Sequence, residues 1–220
     1  GLSFNNGDPV GTWPDRSGNG NDATQSAAQR PEYVSAGTYN LNGIAPVIRF
    51  DNSEDDFLEF SGNTVVGTDY TIFVVAAKRS GGNKWVMGGT SNSGSNKNLH
   101  FGWQSNTTYR YHHYGNDLPN ITLIDPADGT GEESFGIMTL LNNTNESDRF
   151  LYQNNQQAGQ GASPAELISW DGAGVGGTPQ ISSYSDIDLA AILFFRGALN
   201  QAQRTIVNNY LAEHYGIDIT

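Results

Sequence analysis

The chain has 220 residues, enough for one large β domain over residues 1–220 with a sizeable core and no need of covalent staples. Its 27 glycines, 15% charged residues and scarcity of Lys describe a loop-rich β composition rather than a helical one. Twenty-three acidic residues against 11 basic ones give a formal net charge of −12, which argues against nucleic acid as a partner, and the lack of cysteine excludes disulfides and zinc–thiolate sites.

No apolar run approaches the roughly 20 residues that cross a bilayer as a helix, so no membrane insertion is expected. The sequence opens at Gly1 without a signal-peptide pattern, and it is read as a domain of a larger multidomain chain.

In chain order, nine short apolar runs read as strands: PVIRFD (46–51), FLEF (57–60), YTIFVVAAK (70–78), KWVMGG (84–89), LHFGW (99–103), YRYHHY (109–114), FGIMTLLN (135–142), RFLYQN (149–154) and DLAAILFF (188–195). Turn-forming clusters such as NSEDD, SGGN and GND separate them. Many short, punctuated strands predict an all-β, two-sheet antiparallel sandwich. YTIFVVAAK and DLAAILFF are nearly continuous apolar runs and are expected at sheet centres. Residues 155–180 carry little pattern and read as a long loop. The end differs: Ala202, Ile206, Tyr210 and Leu211 fall at helical spacing, Asn200 and Gln203 form a capping box, and Gly216 supplies the stop. One short C-terminal helix is expected, its apolar stripe closing an edge of the core.

Two acidic stretches invite chemistry. Glu54, Asp56 and Glu59 have the E-x-D-x-x-E spacing of retaining β-glucanases, which need two carboxylates about 5–5.5 Å apart. The preceding Asp51, Asn52 and Ser53 are turn residues, so the acids are expected in a hairpin turn, with Glu59 on the face opposite Leu58 and Phe60. Calcium takes six to eight oxygens. Asp51, Asp55 and Asp56 in that turn, Asp15 and Asn21 in DRSGNGND, and Asp188 before a central strand are the candidate ligands for Ca²⁺.

YRYHHYGND (109–117) is the densest aromatic stretch. As a strand it places Tyr109, Tyr111 and His113 on one face and Arg110, His112 and Tyr114 on the other. Neither face is aliphatic. Rings with polar tips suit sugars, whose C–H faces stack on aromatics while their hydroxyls pair with polar groups. The candidate ligand-binding residues are therefore Trp103, Tyr111, His113, Tyr114, Asn116 and Asp117, with Trp170 and Asp171 from the long loop. A Tyr- and His-rich sheet face without a ligand is the competing reading. Adjacent His112 and His113 face opposite ways, which disfavours a shared metal.

TWPDRSGNGNDATQ (12–25), PVIRFDNSEDDFLEF (46–60), LHFGWQSNTTYRYHHYGNDL (99–118) and DLAAILFFRGALNQAQRTIVNNYLAEHYGI (188–217) together resemble the laminin-G-like, concanavalin A-like lectin jelly-roll domains of large secreted bacterial proteins. The sequence departs from that pattern at Ala191, at Asp51-Asn52 and at Arg196-Gly197-Ala198-Leu199. The resemblance implies a jelly-roll sandwich, often with structural Ca²⁺. It also implies a non-catalytic, extracellular, adhesin-type module recognising cell-surface glycans. A protein- or peptide-binding adhesion domain on the same fold and a glycoside hydrolase using Glu54, Asp56 and Glu59 remain as alternatives.

Overall fold

The computed structural model describes residues 4–35, 45–90, 94–125, 135–146, 148–162, 166–170 and 172–219. The strands begin with β1 (Thr12–Trp13), β2 (Ala23–Thr24), β3 (Glu32–Val34), β4 (Val47–Phe50), β5 (Leu58–Phe60) and β6 (Tyr70–Lys78). They continue with β7 (Lys84–Gly89), β8 (His100–Trp103), β9 (Thr108–His112), β10 (Ile121–Thr122), β11 (Gly136–Asn143) and β12 (Asp148–Gln153). The last are β13 (Gln156–Ala162), β14 (Ala173–Val175), β15 (Gly177–Thr178), β16 (Ser183–Tyr184) and β17 (Ile187–Arg196), followed by the helix α1 (Gln201–Tyr215). Sheet I runs β13-β12-β11-β6-β17-β4-β3, and sheet II runs β1-β2-β5-β14-β7-β8-β9-β10. Every pairing between them is antiparallel. The protein is a two-sheet sandwich with one short C-terminal helix, as the nine apolar runs predict.

Two apolar layers result. Tyr70, Ile72, Val74 and Ala76 of β6 face sheet II, against Phe101, Tyr111 and their neighbours. Phe73 and Val75, pointing the other way, pack under α1. This double burial explains why YTIFVVAAK shows no polar alternation. Each Val, Ile or Phe so buried stabilises the fold by about 1.5–3 kcal/mol.

The helix is capped as expected: Gln203 N–H donates to Asn200 Oδ1 at 3.0 Å, and Asn200 N–H to Gln203 Oε1 at 2.9 Å. Its orientation corrects the expected stripe. Ile206 and Tyr210 are 69% and 59% exposed, while Leu211 and Ala212 are buried, with Val207 and Tyr215 packed beside them. The helix covers the outer face of sheet I rather than an edge, because Phe73, Val75, Ile137 and Phe195 leave that face apolar.

Residues 155–180 are a second correction, since they supply β13, β14 and β15. Strand β13 (QQAGQGA) is an exposed sheet edge held by its ladder to β12, so it carries no burial signature. Its glycines admit the opposing layer: a Cβ on Gly159 would meet Ile121 at 2.7 Å.

Cross-strand register aligns Thr12, Thr24, Glu59, Gly174 and Gly88 in one row on the outer face of sheet II. The two glycines let residues 177–180 lie across the sheet as a ridge. A Cβ on Gly88 would meet Thr178 Oγ1 at 1.8 Å, and one on Gly174 would meet Pro179 at 2.7 Å. Gly88→Ala is therefore expected to lift the ridge and cost about 1–3 kcal/mol, read as a lower urea midpoint with unchanged slope. A Gly88→Ala midpoint equal to wild type would show that Thr178 yields freely.

Candidate functional site

Strand β9 alternates as its sequence predicts, with Tyr109, Tyr111 and His113 together on one face. That face is the core: all three are fully buried. The tips of Tyr111 and His113 are satisfied internally, whereas the Tyr109 hydroxyl has no hydrogen-bond partner among the described residues. Tyr111 O–H donates to Tyr70 Oη at 2.8 Å, and Tyr70 Oη, whose own proton is then free to donate, lies 2.5 Å from His113 Nε2. Trp103 (3% exposed) packs edge-on against Tyr109, and Trp170, fully buried, packs edge-on against Phe60. Trp103, Tyr111, His113 and Trp170 are thus core residues whose rings cannot stack on a sugar, which corrects their assignment to the ligand surface. Asp171 lies outside the described residues. Tyr114 and Asn116 are half-buried, and Asp117 is exposed.

The opposite face of β9 builds a platform on the outside of sheet II. Arg110 lies 5.0 Å over the Trp85 ring, and Trp85 meets His100 and His112 edge-on at 5.7 and 6.1 Å. His100 meets Tyr114 at 5.8 Å, and the Asp117 carboxylate lies 3.7 Å from His112 Nδ1. Burial, helped by the neighbouring His112, pushes His100 down to about 4, so its ring is neutral at physiological pH. Burial also lowers His112, against the pull of Asp117.

Across the ridge lies an open depression of about 420 Å³, lined by Thr12, Thr24, Gln25, Ser26, Phe57 and Glu59 with the backbone of Gly11. Glu59 projects outward from β5, opposite buried Leu58 and Phe60, and Thr90 O–H donates to its Oε1 at 2.9 Å. Phe57 forms an aromatic wall, tilted against Tyr184 at 6.0 Å. Three separate segments meet here. Sequence reasoning passes over Thr12, Thr24, Gln25, Ser26 and Phe57 as a site, although alternation in FLEF already puts Phe57 and Glu59 on one face.

The acids around β5 occupy a turn. Asn52–Glu54 is a single 3₁₀ turn capped by Asp51, whose Oδ1 accepts from Ser53 N–H and O–H at 2.8 and 2.6 Å. Asp55 ends the turn in the left-handed region. Asp56 Oδ2 accepts from Asp51 N–H at 3.0 Å, while its buried Oδ1 has no partner. Burial, reinforced by the charges of Asp51, Glu54 and Glu32, raises Asp56 to about 6.

Several of the carboxylates expected for Ca²⁺ are already engaged within the protein. Both oxygens of Asp15 accept from Ser17 and Asn21, and these bonds hold its carboxyl down to about 2. Asp188 is held by Arg49 through two hydrogen bonds of 2.8 and 2.7 Å. Asp51 and Asp56 are engaged within their turn. Among the described residues, no three Asp, Glu, His or Cys side chains are placed to hold a metal.

No protein-family model matches the chain, and no curated protein sequence matches it. Solved structures do. The binding domain of Paraclostridial Mosquitocidal Protein 1 aligns with a TM-score of 0.67 at 14% identity over 94% of this chain and 51% of its own. A Trypanosoma rangeli sialidase gives 0.60 at 15% identity over 96% of this chain and 32% of its own. Botulinum neurotoxin type C, whose cell entry is dependent upon interaction with two ganglioside molecules, gives 0.57 at 11% identity over 92% of this chain and 51% of its own. These likenesses establish the β-sandwich fold. The chain spans about half the length of the two toxin chains and about a third of the sialidase.

Two outcomes follow. Calcium chloride and EDTA should give the same Tm, because the acids are already engaged; a calcium-dependent rise of several degrees would show that they converge on an ion. The second concerns pH. Folded Asp56 keeps its proton up to about 6, whereas the unfolded chain loses it near 3.8, so Asp56 lowers stability as pH rises through that window. Folded His100 refuses a proton down to about 4, whereas the unfolded chain takes one below 6.5, so His100 lowers stability as pH falls. The two oppose each other. Asp56→Asn should steepen acid destabilisation between pH 6.5 and about 4, and His100→Gln should flatten it, in urea midpoints measured across that range. Parallel profiles for wild type and both variants would contradict these titrations.

Proposed function

We propose that this chain is a non-catalytic carbohydrate-binding module of the laminin-G-like, concanavalin A-like type, within a larger extracellular bacterial protein, and that the depression beside β5 holds a glycan. The observation that carries this reading is the lining: one aromatic wall, one carboxylate, one amide and three hydroxyls around an open volume. Phe57 offers a face for sugar C–H groups, while Glu59, Gln25, Thr12, Thr24 and Ser26 offer partners for hydroxyls. Hydroxyl bonds to protein largely replace bonds to water, so single-site affinity is weak and a multidomain parent gains avidity by repetition. A ganglioside-dependent neurotoxin and a sialidase among structures of this fold lend the reading support.

Hydrolysis by the two-carboxylate route is disfavoured by the same lining, in which Glu59 is the one carboxylate and Glu54 belongs to the turn. The test is a glycan array probed with the protein displayed multivalently. Wild type should bind a defined glycan set. Phe57→Ala should bind it roughly fivefold to tenfold more weakly, about 1 kcal/mol of stacking, and Glu59→Gln should shift preference among hydroxyl configurations, both at unchanged Tm. A wild-type protein that binds no glycan, or binds equally after Phe57→Ala, overturns the proposal.

A further inference from the structure

At one end of the sandwich the interior turns polar. Register places Tyr70 (β6), Asn142 (β11) and Arg149 (β12) side by side on the inner face of sheet I. Tyr111 and His113 of sheet II face them, and Leu118 closes over β13, where a Cβ on Gly161 would meet it at 2.7 Å. Tyr70, Arg149, Tyr111 and His113 are fully buried, and Asn142 is 1% exposed.

Arg149 is therefore a guanidinium cut off from water. Its Nη2 donates to the Asn116 carbonyl, and its plane lies 5.1 Å from the Tyr111 ring. Nε and Nη1 have no partner, and no carboxylate pairs with it among the described residues. Asn142, its direct cross-strand neighbour, has both side-chain atoms unpartnered. A buried unpaired charge costs several kcal/mol, and each unmade hydrogen bond adds to that. Carbonyl and ring contacts are neutral, so they leave the charge uncompensated. Unpartnered N–H donors outnumber the one unpartnered acceptor, Asn142 Oδ1. Water can serve these groups as a dipole but brings no negative charge.

We propose that this layer is an internal binding site for one small monovalent anion of the halide class, chloride, held by Arg149 Nε and Nη1 with Asn142 Nδ2. Ring centroids of Tyr70, Tyr111 and His113 within 5.9–6.4 Å of one another favour a monatomic ion over a carboxylate or phosphate. The anion ties β11 and β12 to the β9–β10 connection, so its role is structural and independent of the glycan reading.

The experiment uses the full chain. Crystals soaked in sodium bromide should show an anomalous peak within hydrogen-bond reach of Arg149 and Asn142. In solution, sodium chloride should raise the wild-type Tm by several degrees over sodium gluconate at equal ionic strength, by mass action on the folded state. Arg149→Met should melt alike in both salts; should it fail to fold, the bromide map and the wild-type salt comparison decide alone. No peak overturns the proposal. Equal wild-type melting in the two salts also overturns it, since a peak would then mark an adventitious ion only.

Discussion

The Tyr70 hydroxyl decides which way β9 faces. It accepts a hydrogen bond from Tyr111 O–H and stands within hydrogen-bond distance of His113, so two polar side chains of a stretch with no aliphatic face can be buried without leaving their tips unpaired. Buried phenols cost little only when partnered. With that triad formed, period-two geometry leaves no freedom: Arg110, His112 and Tyr114 must lie outside, where Trp85 and His100 receive them. The same event turns Tyr109 onto Trp103 and commits a third of the aromatic stretch to the core.

With the inner face filled, the relief open to solvent lies on the outside of sheet II, where topography is set by absence of side chains. Gly88 and Gly174 in adjacent strands let Thr178 and Pro179 rest on the backbone, and the resulting ridge divides the platform from the depression. The depression is open because β1 and β2 are two-residue strands that present hydroxyls rather than bulk. Phe57 stands half-buried on the outer face for a local reason: it precedes β5 and shares the outward phase of Glu59, while Leu58 and Phe60 take the inward phase.

The strands were legible because apolar runs bounded by turn residues carry the core whatever their partners. The helix was legible in its caps, which are local, but its rotation was not, because the expected stripe and the one the structure buries both contain apolar residues and only the outer face of sheet I chooses between them. Strand β13 was hidden because an edge held by backbone bonds needs no hydrophobic side chains. The burial of Tyr111 could not be read locally either: its partner Tyr70 lies 41 residues away. Nor could the depression, which joins segments near residues 12, 25 and 58 that meet only through the pairing of β2 with β5. The turn at 51–56, by contrast, was fully local, since Asp51, Ser53 and Asp56 satisfy one another.

The treatment of charge links these observations. At the β17 entrance an acidic chain uses its carboxylates against its own cations. Asp188 takes Arg49 and approaches Arg79, and Asp186 takes Lys84 while capping Asn52 and accepting from Ser80. Acids so engaged are poor calcium ligands, because an ion would have to displace a bidentate guanidinium that already matches carboxylate geometry. Arg149 sits at the opposite limit: more deeply enclosed than any of these, it faces only a carbonyl, an amide and rings among the described residues. Of the other buried cations, Lys84 meets Asp186 and Lys78 meets the Asn106 amide, but a lysine can shed its proton where a guanidinium cannot, and Arg149 meets no carboxylate among the described residues. An anion enclosed in the sandwich accounts for that difference, whereas one more neutral contact does not.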